Sequence, residues 1–266
     1  MYRIFALTHA KWRTASSYRL RMIISIVSLS VSAIPVYFIA NALQSTMENS
    51  IQGEGGHYFA FLIVGGVTLL LIDAAVDTMP DEVSSGINNG TLDALLGTPS
   101  HTGSILGGLM SYELLWTVAR GTLLVLVGSL LGVNLFWSNM IPAVLILGLI
   151  VLAYLPIGMM ATAMVIAFRT TGPFPQAILT LSALLGGVYY STSVIPTWLQ
   201  GVSAFIPLTY GLRALRGTLL EGLPISAVAS DVAILAGFVL VLTGIGIYSL
   251  SLAFTHARRA GTLAHY

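Results

Sequence analysis

Apolar runs separated by short polar breaks dominate the chain. The runs fall at Met22–Leu43, His57–Met79, Tyr112–Val133, Ile141–Phe168, Pro175–Tyr190 and Ala229–Phe254. A bilayer core of about 30 Å needs about 20 consecutive apolar residues in a helix, so the pattern predicts an all-α membrane protein with six transmembrane helices. Pro35 and Pro156 lie inside the first and fourth runs, where each predicts a kink that neighbouring helices can accommodate. Ala40-Asn41-Ala42 resembles a leader cleavage site. The apolar run before it is longer than the roughly 7–15 residues of such a leader, so the first run reads as a retained span.

Two regions do not fit the spanning pattern. Residues 80–111 are polar with helical patches. Residues 191–224 are too apolar for an ordinary loop, with Ile195-Pro196-Thr197-Trp198-Leu199 followed by Pro207-Leu208-Thr209-Tyr210. Pro196 and Pro207 each suit the first turn of a helix, and the segments are too short to cross. They predict two short re-entrant outer helices between spans five and six; a surface-lying amphipathic pair is the alternative. No internal repeat or low-complexity tract breaks the chain, which reads as a single transmembrane domain over 1–266. Residues 1–21 predict an interface segment, either a docking helix or a basic tail held by anionic lipid.

Composition agrees: 56% of the residues are hydrophobic and 8% charged, against about 25% charged in a soluble domain. The net charge of +1 says little, but the placement of basic residues sets orientation. Arg3, Lys11, Arg13, Arg19 and Arg21 precede the first span, Arg169 lies between the fourth and fifth, and Arg258 and Arg259 follow the last. Six spans put all of them on one face, which predicts cytoplasmic termini in a bacterial or archaeal cytoplasmic membrane. The opposite face receives Arg213 and Arg216.

Several chemistries are excluded. There is no cysteine, hence no disulfide or thiolate site. The only lysine, Lys11, follows His9-Ala10 and not a glycine-rich turn, so no phosphate-binding loop exists. The five histidines are dispersed without metal-ligand spacing. No Gly-x-Ser-x-Gly nucleophile motif occurs. The sequence therefore predicts no catalytic residue, no metal site and no cofactor in this chain.

Arg120 falls inside the third span, where a lone arginine at a helix centre costs about 2.5–3.5 kcal/mol. Asp73, Asp77 and Glu113 are its candidate intramembrane partners. Asp73 and Asp77 stand one helical turn apart, read as near the cytoplasmic end of span two. Arg213 and Arg216 are expected on one face of the second outer helix, paired with Glu221 or anchored at the interface.

The most informative stretch is Asp81-Glu82, then Gly90-Thr91-Leu92-Asp93-Ala94-Leu95-Leu96-Gly97-Thr98-Pro99. Leu92, Leu95 and Leu96 form one apolar helical face, and such a short amphipathic helix can seat in the groove of a soluble partner. This run resembles the coupling region of type-2 permeases of ATP-binding-cassette exporters. The outer segment is similar to the same family: Gly186-Gly187, Pro196, Trp198, then Pro207-Leu208-Thr209-Tyr210-Gly211-Leu212-Arg213 and Arg216. The resemblance implies a cytoplasmic coupling helix in which Glu82, Gly90, Thr91, Leu92, Asp93, Leu95 and Leu96 contact a separate ATPase subunit. ATP and magnesium would then sit on that subunit. It also implies a second permease subunit, identical or related, with the path between the two, surrounded by lipid. No nucleic-acid partner is expected. The run lacks the basic residue that the family often has before its Gly-Thr. An ion- or proton-coupled secondary transporter is the alternative, and it requires carboxylates near the bilayer midplane.

Overall fold

The computed structural model describes residues 12, 19–90 and 102–259. Among them the chain is helical: α1 (Arg19–Met47), α2 (Tyr58–Asn88), α3 (Thr102–Leu130), α4 (Met140–Phe168), α5 (Phe174–Leu185), α6 (Thr197–Ser203), α7 (Pro207–Leu220) and α8 (Ala229–Arg259). Three single 3-10 turns interrupt the connections, at Glu48–Ser50, Gln52–Glu54 and Trp137–Asn139.

Among the described residues, five helices have the length and apolarity to cross a membrane: α1, α2, α3, α4 and α8. The segment expected as the fifth of six spans is the 12-residue α5, a shorter apolar helix. At 1.5 Å per residue it reaches about 18 Å, well short of a bilayer core. The chain turns at Gly186–Gly187 instead, where Gly187 takes a left-handed φ of 85°. The two helices expected after it are present as α6 and α7, of 7 and 14 residues. Pro196 precedes the first turn of α6 and Pro207 begins α7, where a missing N–H costs nothing.

Two other bounds differ from the hydropathy pattern. Helix α2 does not stop at Met79 but continues through Pro80 to Asn88, and α3 begins at Thr102 rather than Tyr112. Both ends of the polar segment 80–111 are therefore helix extensions. Pro35 and Pro156 lie within unbroken helices.

The bundle has two ends. At one, Glu54 in the α1–α2 connection meets α7, Phe136 donates its N–H to Leu219 O at 2.9 Å, and Arg213 meets Asp231 at the start of α8. At the other, Met79 and Val83 of α2 pack with Met110, Ala163, Ile166 and Ala253. The first is called the Glu54 end and the second the Asn88 end.

Helix α2 is the buried hub, with Phe61, Ile72, Ala75 and Val76 fully enclosed. Within a lipid solvent, burial of apolar surface does not favour helix association, and close approach of small residues does. Ala75, Ala153 and Ala161 are completely buried. A Cβ on Gly158 would stand 2.7 Å from Ala75 O and 2.9 Å from Val76 O, so the absent side chain lets α4 lie on the α2 backbone. Gly246 of α8 meets Pro156 in the same way, with its virtual Cβ 2.9 Å from that ring. Hydroxyls inside the helices bond back to their own turn: Ser30 to Ile26 O at 3.0 Å, Thr68 to Val64 O at 2.8 Å, Thr162 to Gly158 O at 2.8 Å. That satisfies the polar group without water. Tyr154 donates to Ser182 Oγ at 2.7 Å and ties α4 to α5. Helix α1 is peripheral and exposes Ile23, Ile24, Val27, Val31, Ile34 and Phe38.

Candidate functional site

Asp73, Asp77 and Asp81 recur every four residues and so share one face of α2. They line an open cavity of about 730 Å³ together with Glu82, Glu113 and Arg120, against an apolar wall that includes Leu179 and Leu184 of α5. Because α2 runs on to Asn88, Asp73 sits midway along the helix, not near its end as the apolar run suggested. Arg120 Nη2 lies 3.5 Å from Glu113 Oε1 and donates to Thr117 Oγ1 at 3.0 Å. Asp73 and Asp77 face the same cavity without such a contact to Arg120 among the described residues. The Arg120 and Glu113 side chains keep 25% and 41% of their exposure, so the pair is partly solvated and weak. Among the described residues, five carboxylates and one guanidinium line this cavity, an excess of negative charge that attracts cations.

At the Asn88 end, Glu82 projects from the last turns of α2 into this cavity. Gly90 ends the helix: its φ of 66° is left-handed, which costs a glycine nothing. Its N–H reaches Ile87 O at 3.2 Å. Thr91, Leu92, Asp93, Leu95 and Leu96 lie outside the described residues, as does the interface segment apart from Trp12 and residues 19–21, which open α1. The Trp12 ring stands edge-on to Tyr112 of α3 at 6.1 Å.

The Glu54 end is built around Arg216, which is 1% exposed. Its Nη1 donates to Glu54 Oε2 and to Gly187 O, both at 2.8 Å. Its Nη2 donates to Phe61 O and Val188 O, each at 3.2 Å. The guanidinium lies 3.3 Å from the centre of the Phe61 ring, close enough for a cation–π contact. Burial lowers its pKa to about 10, against the pull of the Glu54 carboxylate, so it stays charged at neutral pH. Neither Arg213 nor Arg216 takes Glu221 as its partner. Arg216 turns inward to Glu54, and Arg213 turns outward to Asp231 at 3.4 Å, with its guanidinium 5.8 Å from the Tyr210 ring. Glu221 accepts the Gly55 N–H at 3.1 Å instead. The side chains of Arg213 and Arg216 therefore do not share an environment.

Beside this ion pair lies a second cavity of about 510 Å³, lined by the turn at Ser191–Ser193, by Gln200 of α6, by Ala204 just after that helix and by Tyr210 and Arg213 of α7. Trp198 lies outside it and is exposed. Among the described residues, no group of three or more metal-ligating side chains converges.

The ABC-2 type transporter family matches residues 4–220. The chain belongs to that family. It is also similar to Nodulation protein J of Rhizobium leguminosarum bv. viciae, 25% identical over 189 residues, or 71% of this chain and 72% of the relative. Nodulation protein J of Rhizobium meliloti (strain 1021) is 24% identical over 193 residues, 71% of each chain.

As an ABC-2 type transporter, the chain is a membrane subunit of an ATP-binding-cassette system. The sequence of this ABC-2 permease does not announce Glu54 as a site residue. The one available signal was its setting in Gly53-Glu54-Gly55-Gly56, a turn too tight to leave a carboxylate free to wander. Gly55 and Gly56 adopt φ of 99° and 69°, a region that side-chain-bearing residues avoid.

Proposed function

We propose that the chain is the membrane-spanning permease subunit of an ATP-binding-cassette exporter, working as a dimer of identical or related permeases. The observation that carries this reading is the family match over residues 4–220. Each permease docks a separate ATPase subunit, which binds ATP and magnesium, through the coupling region at Glu82 and Gly90–Leu96. The unbroken α2, which runs from the packed core to Asn88, supports the docking role: it joins that region to the centre of the bundle as one rod. Closure of the ATPases on ATP pushes this rod, and hydrolysis resets it.

In this reading both termini face the cytoplasm of a bacterial or archaeal cell, with the Asn88 end inside and the Glu54 end outside. The sixth crossing is composite. Helix α5 starts at the Asn88 end and the turn at 186–196 continues it, while α6 and α7 re-enter from the outside. Lipid and the second permease cover the exposed apolar faces of α1 and of α8, where Leu240, Val241, Ile247 and Tyr248 point outward.

The test is to co-purify the chain with a candidate ATPase and measure ATP hydrolysis. Leu92→Asp with Leu96→Asp should dissociate the complex or uncouple it; unchanged assembly and unchanged hydrolysis would remove the docking role.

One observation favours a second reading, an ion- or proton-coupled carrier: Asp73 lies midway along α2 with Asp77 beside it in the large cavity, and intramembrane carboxylates are the usual proton relays. Solute flux driven by a pH gradient in proteoliposomes without any ATPase, and lost in Asp73→Asn, would establish that reading over the first.

A further inference from the structure

We propose that the 730 Å³ cavity along α2 binds a lipophilic organic cation, and that this is the class of cargo the permease moves. Its volume lies within the roughly 300–1,000 Å³ of small-molecule sites. Two walls of different origin meet in it. One is the acidic face of α2. Asp73 and Asp81 stand two turns apart, about 12 Å of helix rise, with Asp77 between them. None of the three makes an ion pair among the described residues. Arg120 does not offset them, because Glu113 at 3.5 Å and Thr117 Oγ1 at 3.0 Å already hold its guanidinium. The other wall is α5. Gln176, Leu179, Thr180, Ala183 and Leu184 recur at helical spacing and turn one face to the cavity. Leu184 keeps 44% of its exposure, so apolar surface stands uncovered beside the carboxylates. Tyr189 also lines the cavity and is exposed, and its ring can meet a cation.

Every other ligand class fails on one of the walls. An anion meets three carboxylates without counter-charge. A neutral ligand gains nothing from their field. A metal ion satisfies the field but leaves α5 uncovered, and among the described residues no three ligating side chains converge to replace its water. A cation with aryl or alkyl substituents fits both walls, its charge toward α2 and its substituents against α5. Carboxylates within a span are costly without a partner, and such a ligand supplies the missing charge without bringing water.

The cargo role rests on the transporter reading; the binding does not. The cationic group belongs either to a free lipophilic cation or to the ammonium headgroup of a membrane lipid. Tetraphenylphosphonium and tetraphenylborate share one shape and differ in the sign of their charge. Equilibrium dialysis of each against the full-length chain in phosphatidylglycerol nanodiscs, with protein-free discs as the blank, tests the site. The expected result is saturable binding of tetraphenylphosphonium and none of tetraphenylborate above the blank. Asp73→Asn with Asp77→Asn should weaken it at least tenfold, as should Thr180→Trp, which fills the cavity from an exposed position on α5. Arg120→Ala should tighten it. If the double aspartate variant does not fold, Thr180→Trp and the borate comparison decide. The same affinity in discs that also hold phosphatidylethanolamine assigns a free cation, and a loss there assigns the lipid headgroup. The site is overturned if tetraphenylphosphonium does not saturate, if tetraphenylborate binds as tightly, or if the folded variants bind like the native chain. No ATPase is present in this assay, so its failure leaves the transporter reading standing, and failure of ATPase docking leaves the binding result intact. With a docked ATPase in proteoliposomes, saturating tetraphenylphosphonium should raise ATP hydrolysis at least twofold; binding without that rise overturns the cargo assignment.

Discussion

The Arg216 guanidinium stands 2.8 Å from the Glu54 carboxylate across 162 residues of sequence, with one partner on α7 and the other in the α1–α2 turn. The arginine side chain is 1% exposed and the glutamate 15%. Breaking such a pair from one side leaves a buried charge and costs about 3–5 kcal/mol, whereas replacing both partners by apolar groups costs far less. Glu54→Ala should therefore lower the unfolding midpoint of the detergent-solubilised chain more than the double variant Glu54→Ala with Arg216→Met. Equal losses in the two would show that the pair contributes nothing beyond packing.

The pH dependence of that contribution has a definite sign. Burial holds the folded Arg216 pKa near 10, below its ordinary value. Up to roughly pH 9 the group is protonated in both folded and unfolded chains and adds no slope to stability. Above about pH 10 the unfolded chain keeps its proton longer, so this group makes stability rise with pH. Arg216→Met should lower the unfolding free energy between about pH 6 and 9 by a nearly constant offset, the cost of the broken pair, and should remove the rise above pH 10. A variant that keeps the rise above pH 10 would contradict the assignment.

Gly158 tests the packing argument. Its virtual Cβ meets two α2 carbonyl oxygens inside 3.0 Å, and backbone cannot step aside as a side chain can. Gly158→Ala should cost about 1–3 kcal/mol through overpacking. Gly148, on the same helix with nothing within 4 Å of its virtual Cβ, is the control: Gly148→Ala should stay within about 1 kcal/mol of the native chain. Thermal unfolding of the two variants side by side measures the difference.

Hydropathy made the spanning helices legible where the apolar run and the helix end together. The fourth run, from Ile141 to Phe168, differs from α4 by one residue at its start, and the last begins at Ala229 as α8 does. It failed where a helix outlives its apolar run. Nothing in Pro80-Asp81-Glu82 marks a continuing helix, because polarity reports solvent and not backbone conformation. That error moved Asp73 from mid-helix toward an end. The α5 run failed in the opposite sense, since Gly186-Gly187 ends the helix inside an apolar stretch. The outer arginines were legible as a pair, but their partners were not: periodicity relates neighbours within one helix, and Glu54 is in another part of the chain.

The Arg120–Glu113 contact predicts a small effect. At 3.5 Å, with 25% and 41% of the side chains exposed, the pair is worth at most about 1 kcal/mol. Glu113→Gln should leave the unfolding midpoint nearly unchanged. Arg120→Ala should matter more for the cavity than for the fold, because among the described residues Arg120 is the cation that lines the cavity with Asp73, Asp77, Asp81 and Glu82. A tighter retention of a divalent cation such as Mg²⁺ in Arg120→Ala, measured by calorimetry, is the expected outcome; identical titrations would show that the arginine does not set the field there.

The proposed power stroke makes the sharpest demand on α2. If the coupling region moves the spans through a rigid rod, then stiffness between Asn88 and the core is what transmits work, while binding to the ATPase depends only on the coupling surface. A three-glycine insertion directly after Asn88 lengthens the connection with a flexible segment and leaves both surfaces intact. The complex should still assemble and hydrolyse ATP, but transport per ATP in proteoliposomes should fall at least tenfold. The same insertion in the α1–α2 connection after Gly53, at the opposite end of the rod, should spare the ratio of transport to hydrolysis while lowering stability through Glu54. If both insertions uncouple equally, force reaches the spans by a route other than α2.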